Sequence, residues 1–320
     1  MLQAIRQRAD RLAGGGGRDD GKTLALVVEG GAMRAVQSAG GAVALARLRF
    51  GEVFDQVYTT SAGTMNAAYL ITDQPDIGIT VYYDSCASRR FINPWRFWRI
   101  LDVDWLFDHV VRHEKPLDVS RLLRSPTRMF VTMLDYDTGE SVLVDVQQST
   151  TEPLDIFKAA TAMPVFYNRP VLVEGRRCID GGLLNPFPLR AAIDRGCTDI
   201  LVLLTQPPDF VRGPSSRFET LVFDTLCARG RAPLCGLLTR YPEVDKRFRD
   251  LALNGGDPAA GARIATMTPR AIAGLGQTTI DPEALWRAAD LYGRDVLAAF
   301  GAEGELLRLP RPARIRRGPL

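Results

Sequence analysis

The sequence predicts an α/β protein built on a mostly parallel, doubly wound sheet, and two observations carry that prediction. Thr23-Leu24-Ala25-Leu26-Val27-Val28 is a continuous apolar run bounded by turn residues, as in a strand buried on both faces. It leads through a glycine turn into Val36 to Leu48, which is rich in alanine and glycine at helical spacing. The pattern then repeats. Phe54, Val57 and Tyr58 alternate up to Thr59-Thr60, and Met65, Ala68 and Tyr69 take up a helical spacing after Ser61. Alternating strand and helix patterns of this kind argue for parallel β-α units.

Composition narrows the class. A chain of 320 residues with 46% hydrophobic and 24% charged residues has room for one large core without disulfides or a structural metal. A formal net charge of +3 is too small to imply a nucleic-acid partner. Cys86, Cys178, Cys197, Cys227 and Cys235 are odd in number and scattered, which reads as thiols in a reducing, cytoplasmic compartment. Residues 1–22 are charged and contain Gly14-Gly15-Gly16-Gly17, with no apolar h-region. A short basic helix over Leu2 to Leu12 and a flexible linker are expected there, both outside the core.

The remaining elements follow in order. From Ile71 to Leu123 an inserted helical cap is expected. Its stretch Arg89 to Leu101 interleaves aromatics with arginines, and Trp105, Leu106, Phe107, Val110 and Val111 continue an apolar face. That composition suits a membrane-facing or substrate-gating surface. It equally suits an amphipathic helix pair lying on the core. Arg128 to Leu134 and Ser141 to Asp145 form a hairpin-like edge around Asp135 to Glu140. A helix starts at Pro153 and ends before Met163-Pro164, and a second hairpin turning at Gly175 delivers Asp180-Gly181-Gly182. Leu189 to Arg195 is a helix and Ile200 to Leu204 a further buried strand. Beyond Thr205, helices are expected over Phe218 to Ala228, Pro242 to Asn254 and Asp281 to Phe300. The basic, proline-rich end reads as a solvated tail or as a contact for anionic lipid.

Candidate chemistry centres on Ser61. A strand, a sharp turn with serine at its apex and a helix make the geometry of a nucleophile elbow. An ordinary serine N-cap gives the same letters. Gly30-Gly31, between the first strand and its helix, exposes backbone N–H groups at a helix start and can bind an anion or serve as a plain turn. A serine nucleophile needs a base. The two histidines, His109 and His113, both precede Asp180, so the order serine, acid, histidine is not available. The open choices are a cap histidine or a carboxylate acting alone. The histidines lie four apart but lack a following glutamate and a third ligand for a metal site.

Glu29-Gly30-Gly31-Ala32-Met33-Arg34-Ala35, Ser61-Ala62-Gly63 and Asp180-Gly181-Gly182, with Ala159 to Phe166 ahead of the aspartate, together resemble the patatin-like phospholipase family. The resemblance covers about Thr23 to Thr205. It implies a three-layer α/β/α fold, and a serine acyl hydrolase of lipase or phospholipase A type that needs no cofactor or metal. Ser61 would be nucleophile and Asp180 base, with Gly30, Gly31, Ala32 and Arg34 at the oxyanion hole and Gly63, Gly181 and Gly182 supporting the motifs. An acyltransferase using the same dyad, or a catalytically silent lipid-binding scaffold, would carry the same residues. The implied partner is a lipid or acyl ester, with peripheral membrane contact through residues 89–101 or the tail. The expected organisation is an N-terminal segment over 1–22, a catalytic core over 23–205 with its cap at about 71–123, a helical part of the same domain over 206–300, and a tail over 301–320. The family usually has glycine where this chain has Ala32, Ala35 and Thr59. Alanine costs little there at negative φ and more at positive φ. Thr59 is expected to narrow the acyl pocket or alter the elbow.

Overall fold

The computed structural model describes residues 1–96, 99–164, 166–215, 217–227, 232–255 and 261–313. Phe97 and Trp98 of the aromatic–arginine stretch, and the basic tail from 314 onward, lie outside the described residues. One eight-stranded mixed sheet forms the centre. Its strands are β1 (Leu24–Val28), β2 (Gln56–Thr60), β3 (Arg128–Asp135), β4 (Ser141–Asp145), β5 (Val171–Val173), β6 (Arg176–Asp180), β7 (Asp199–Leu203) and β8 (Arg263–Met267). The helices are α1 (Leu2–Ala13), α2 (Val36–Arg47), α3 (Gly63–Ile71), α4 (Pro75–Thr80), α5 (Val103–Trp105), α6 (Val119–Arg124), α7 (Pro153–Ala160), α8 (Leu189–Asp194), α9 (Arg217–Val222), α10 (Leu237–Leu253) and α11 (Pro282–Ala299).

The strands β3, β2, β1, β7 and β8 run parallel to one another in that order. Alternation along β1 sorts its side chains between two cores. Leu24, Leu26 and Val28 join the core shared with α2, α3 and α11. Ala25 and Val27 face the other core, with Leu189, Ala192 and Ile193 of α8 and Ala252 of α10. Helices thus cover both faces of the sheet, which is a three-layer α/β/α arrangement. The small residues of α2 serve a helix partner as well as the sheet. A methyl added at Gly40 would lie 2.2 Å from Ala289 O of α11.

Several expectations change. The N-terminal segment does not stand apart from the core. Ile5 of α1 is fully buried, and the buried Arg8 guanidinium pairs with Asp20 and Asp55. Asp55 also accepts the Leu24 N–H at 2.8 Å, which ties α1 to the start of β1. The tail is not wholly solvated either. Leu307 and Leu309 are buried, Tyr83 donates to Pro310 O at 2.7 Å, and Arg311 stacks 3.7 Å over Trp286. β8 is an additional strand, at the end of the sheet beside β7. α10 begins at Leu237, so Pro242 lies inside the helix and not at its start. Proline cannot donate to the carbonyl four residues back. Ser215 Oγ fills that place, donating to Leu238 O at 3.3 Å.

The inserted segment rests on the core: π-helical turns continue α4 over Val81–Cys86 and α5 over Leu106–Glu114, and Val81, Tyr82, Tyr83, Phe107, Val110 and Val111 are buried in it. Near the ends of the aromatic–arginine stretch, Ile92 and Leu101 pair as an isolated antiparallel bridge. Arg96 and Arg99 turn inward to Asp102 at 2.7 and 2.8 Å, while Trp95 is exposed. No helix of the described residues is long and apolar enough to cross a membrane.

Candidate active site

Strand registry brings Ser61 and Asp180 together. β2 and β4 both pair with Phe130 to Thr132 of β3, so they occupy its opposite edges. β4 and β6 both pair with Met133 and Leu134, so β6 lies on the same edge as β2. The two strands meet there with their C-terminal ends facing. Thr60 pairs with Thr132, and Asp180 pairs with the next residue, Met133. Ser61, one step beyond Thr60, donates its hydroxyl proton to Asp180 Oδ2 at 2.6 Å.

Local backbone geometry serves this contact. Ser61 has φ +51°, a left-handed conformation that costs a non-glycine residue about 1–2 kcal/mol and marks a strained turn. Gly63 is held against β1, where an added methyl would fall 2.6 Å from Val28 O. At Gly181 an added methyl would lie 2.8 Å from Thr132 O, so only glycine lets the chain leave β6 so close to β3. The Gly182 N–H donates to Asp180 Oδ1 at 2.8 Å and fixes the carboxylate plane. Asp180 N–H reaches back to Ala162 O at 3.2 Å, tying the aspartate to the turn after α7.

The glycine loop lies across the serine. A methyl on Gly30 would sit 2.5 Å from Ser61 Cβ, so this position must be bare. Gly31 has φ +143° and Ala32 φ +50°, which makes Ala32 the strained replacement, while Ala35 has φ −65° and carries no such strain. The N–H groups of Gly30, Gly31 and Ala32 make no hydrogen bond among the described residues. Arg34 is placed differently from the grouping read in the sequence. Its N–H is already bonded to Gly31 O at 3.1 Å. With the Gln206 amide oxygen turned toward it, its guanidinium donates to Gln206 at 3.0 Å. Burial lowers its pKa, and it does not line the pocket. It braces the loop from behind.

A pocket of about 580 Å³ opens over the serine. Ser61, Asp180 and Ala32 stand at one side, and Met65, Val81, Tyr82, Phe91, Leu101 and Leu106 supply apolar wall. Most of that wall comes from the inserted segment, which gives the cap a direct part in the site. No Lys, Arg or His lines it among the described residues. His109 and His113 are elsewhere, on the surface, where His109 Nε2 meets Glu114 at 3.0 Å. Asp180, 1% exposed, is pushed up to about 6 by burial, a rise that the bonds from Ser61 and Gly182 only partly offset. Thr59 does not line the pocket. Its hydroxyl lies 3.2 Å from Thr64 Oγ1, inside the elbow.

Sequence reasoning missed the supports of the site. Tyr82 donates to Asn66 Oδ1 at 2.9 Å, and Asn66 donates to Ala35 O at 2.8 Å, joining the elbow helix to the end of the glycine loop. Glu29 accepts from the backbone N–H of Thr205 and from Arg249, and the Thr205 hydroxyl lies 3.0 Å from its Oε2. The available signal was position. Glu29 follows directly on β1 and Thr205 lies two residues beyond β7, the level at which α/β sheets build their sites.

Comparison with protein families matches residues 26–193 to "Patatin-like phospholipase". The chain belongs to the patatin-like phospholipase family. Its three-layer architecture is the patatin-like fold, and the family generally comprises lipid hydrolases. A curated relative, "Uncharacterized protein YjjU" of Escherichia coli (strain K12), is 28% identical over 255 residues, covering 77% of this chain and 68% of that protein. Among solved structures, VipD from Legionella pneumophila aligns over 84% of this chain and 66% of its own, at 12% identity and a TM-score of 0.37. The chain therefore spans just under two thirds of VipD, and a likeness of that score carries no argument about mechanism.

Proposed function

We propose that this patatin-like protein is a serine acyl hydrolase that cleaves lipid acyl esters through a Ser61–Asp180 dyad. The observation that carries the reading is the 2.6 Å bond from Ser61 to a buried carboxylate at the side of an apolar pocket with no histidine in its lining. Ser61 Oγ attacks the ester carbonyl carbon while its proton passes to Asp180 Oδ2. A base near pKa 6 is well matched to this role, because it is ionised at neutral pH and still accepts a proton in the transition state. The negative charge on the carbonyl oxygen is received by the free N–H groups of the glycine loop. The intermediate collapses, Asp180 returns the proton to the departing alcohol oxygen, and an acyl-Ser61 ester remains. Water then attacks that ester with Asp180 again taking the proton, the bond from the acyl carbon to Ser61 Oγ breaks as Asp180 passes that proton to Oγ, and the fatty acid leaves.

The apolar wall from Met65 to Leu106 suits an acyl chain, at about 0.8 kcal/mol for each CH₂ removed from water. The exposed Trp95, which lies in sequence between the pocket-lining Phe91 and Leu101, suits contact with a lipid surface. The test is covalent labelling with a fluorophosphonate followed by peptide mass spectrometry. The expected product is a single phosphonylated serine, Ser61. A folded protein that remains unlabelled at Ser61 rules the nucleophile out.

A further inference from the structure

A buried relay runs from α10 to the glycine loop. Arg249 Nη2 donates to Glu29 Oε1 at 2.9 Å, and its Nε donates to Asp245 Oδ2 at 3.0 Å. Glu29 Oε2 accepts the Thr205 N–H. The Thr205 hydroxyl lies 2.7 Å from Gly30 O and 3.0 Å from Glu29 Oε2. Glu29, Thr205, Asp245 and Arg249 are all at least nine-tenths buried.

A hydroxyl has one proton and faces two acceptors here. Glu29 already holds Arg249 on one oxygen and the Thr205 N–H on the other. The Thr205 proton is therefore left for the closer acceptor, Gly30 O. Without Arg249, the carboxylate would be the stronger competitor. The Gly30–Gly31 peptide is trans, as is every peptide in the described chain. In a trans peptide the C=O and the following N–H point in opposite directions. Holding Gly30 O toward Thr205 thus turns the Gly31 N–H away from it. That N–H has no acceptor among the described residues, and the next residue, Ala32, lines the pocket with Ser61.

We infer that Thr205, released toward Gly30 by the Glu29–Arg249 pair, fixes the tilt of the Gly30–Gly31 peptide and presents the Gly31 N–H to the developing oxyanion. Thr205 and Arg249 are then positioning residues, contributed by the end of β7 and by α10. Both lie outside the matched span, 26–193. The inference rests on the acyl hydrolase reading and adds to it a dependence on this later part of the chain. Glycine residues in the loop supply freedom of rotation, and the relay removes that freedom at one peptide. An unfixed peptide would spend part of its time with the N–H turned away from the reacting oxygen.

The experiment compares wild type, Ser61→Ala, Thr205→Val and Thr205→Ser on a soluble medium-chain nitrophenyl ester. Valine keeps the shape of threonine and removes only the proton donor, whereas serine retains it. Loss of a whole oxyanion donor lowers kcat by about 10²–10³. Release of one peptide from its tether is expected to lower kcat by about 10–100-fold with KM unchanged, and to slow fluorophosphonate labelling in parallel. Thr205→Ser is expected to stay close to wild type. Thr205→Ala repeats the measurement should the valine variant fail to fold, with the same expected loss. Wild-type kcat in the valine or alanine variant overturns the relay while leaving the dyad standing. An equal fall in Thr205→Ser also overturns it, because the lost property would then be the methyl group. Absence of any Ser61-dependent turnover in the wild type overturns the hydrolase reading and the relay with it.

Discussion

Replacing Asp180 by asparagine is expected to stabilise the protein at alkaline pH while abolishing turnover. The carboxyl is raised from 3.8 to about 6 in the folded chain, with burial as the main cause. A carboxyl whose folded pKa is raised contributes stability that is present below pH 3.8 and lost as pH rises through about 6. At about 1.4 kcal/mol for each factor of ten in the ionisation constant, the ionised buried group costs on the order of 3 kcal/mol near pH 8. Asparagine keeps an acceptor for the Gly182 N–H and a partner for the Ser61 hydroxyl, and carries no charge to desolvate. Unfolding entropy is about 2 cal/mol/K per residue, or about 0.7 kcal/mol/K for this chain, so Tm should rise by about 4 °C. Thermal denaturation near pH 8 and near pH 4.5 measures the gain, which should be present in full at the first and reduced to about a third at the second. A variant no more stable than wild type near pH 8, or a gain that persists undiminished in acid, would refute the argument that a desolvated charge is held at the site.

Turnover should follow the same ionisation in the opposite sense, being level above about pH 6 and falling about tenfold for each pH unit below it, as read from a kcat profile. Gly30→Ala would push a methyl to 2.5 Å from Ser61 Cβ and 2.9 Å from Thr60 O. Displacing the nucleophile by such a clash should lower kcat/KM by about 10²-fold or more in a steady-state assay. Thr59→Gly should not raise activity, because Thr59 lines no part of the pocket. Chemical denaturation should show it losing about 1–2 kcal/mol of stability from a buried side chain and a looser strand.

The parts of the fold that were legible in the sequence are those where local pattern and final environment agree. β1 is buried on both faces and reads as an unbroken apolar run, and the Ser61 turn reads as an elbow because strand and helix periodicities change across it. Asp281 could be placed at the start of α11, where its side chain accepts from the Glu283 and Ala284 N–H groups. The illegible parts depend on distant partners. β8 is only half-buried at a sheet edge and shows no apolar run. α1 contributes a fully buried Ile5 and a fully buried arginine, and a charged residue reads as solvated until its carboxylates are known. Pro242 reads as a helix start because the residue that relieves its missing bond, Ser215, is far away in sequence. Within the site, the nucleophile and the aspartate carried recognisable neighbours. Thr205 and Arg249 carried none, because their roles exist only through Glu29.

The abutment of β2 and β6 on one edge of β3 has a consequence for timing. Asp180 lies 119 residues after Ser61. A chain emerging N-terminus first can form the β1–α2–β2–α3 portion, with its strained serine turn, well before the hairpin that carries the base exists. Long-range pairings of this kind close late, because loop entropy must be overcome before they form. On the proposed dyad, the serine has no proton acceptor until β6 docks beside Met133, and the half-made protein is expected to be hydrolytically inert. Recovery of turnover during refolding therefore serves as a clock for that one docking step, separate from the optical signals of the parallel strands.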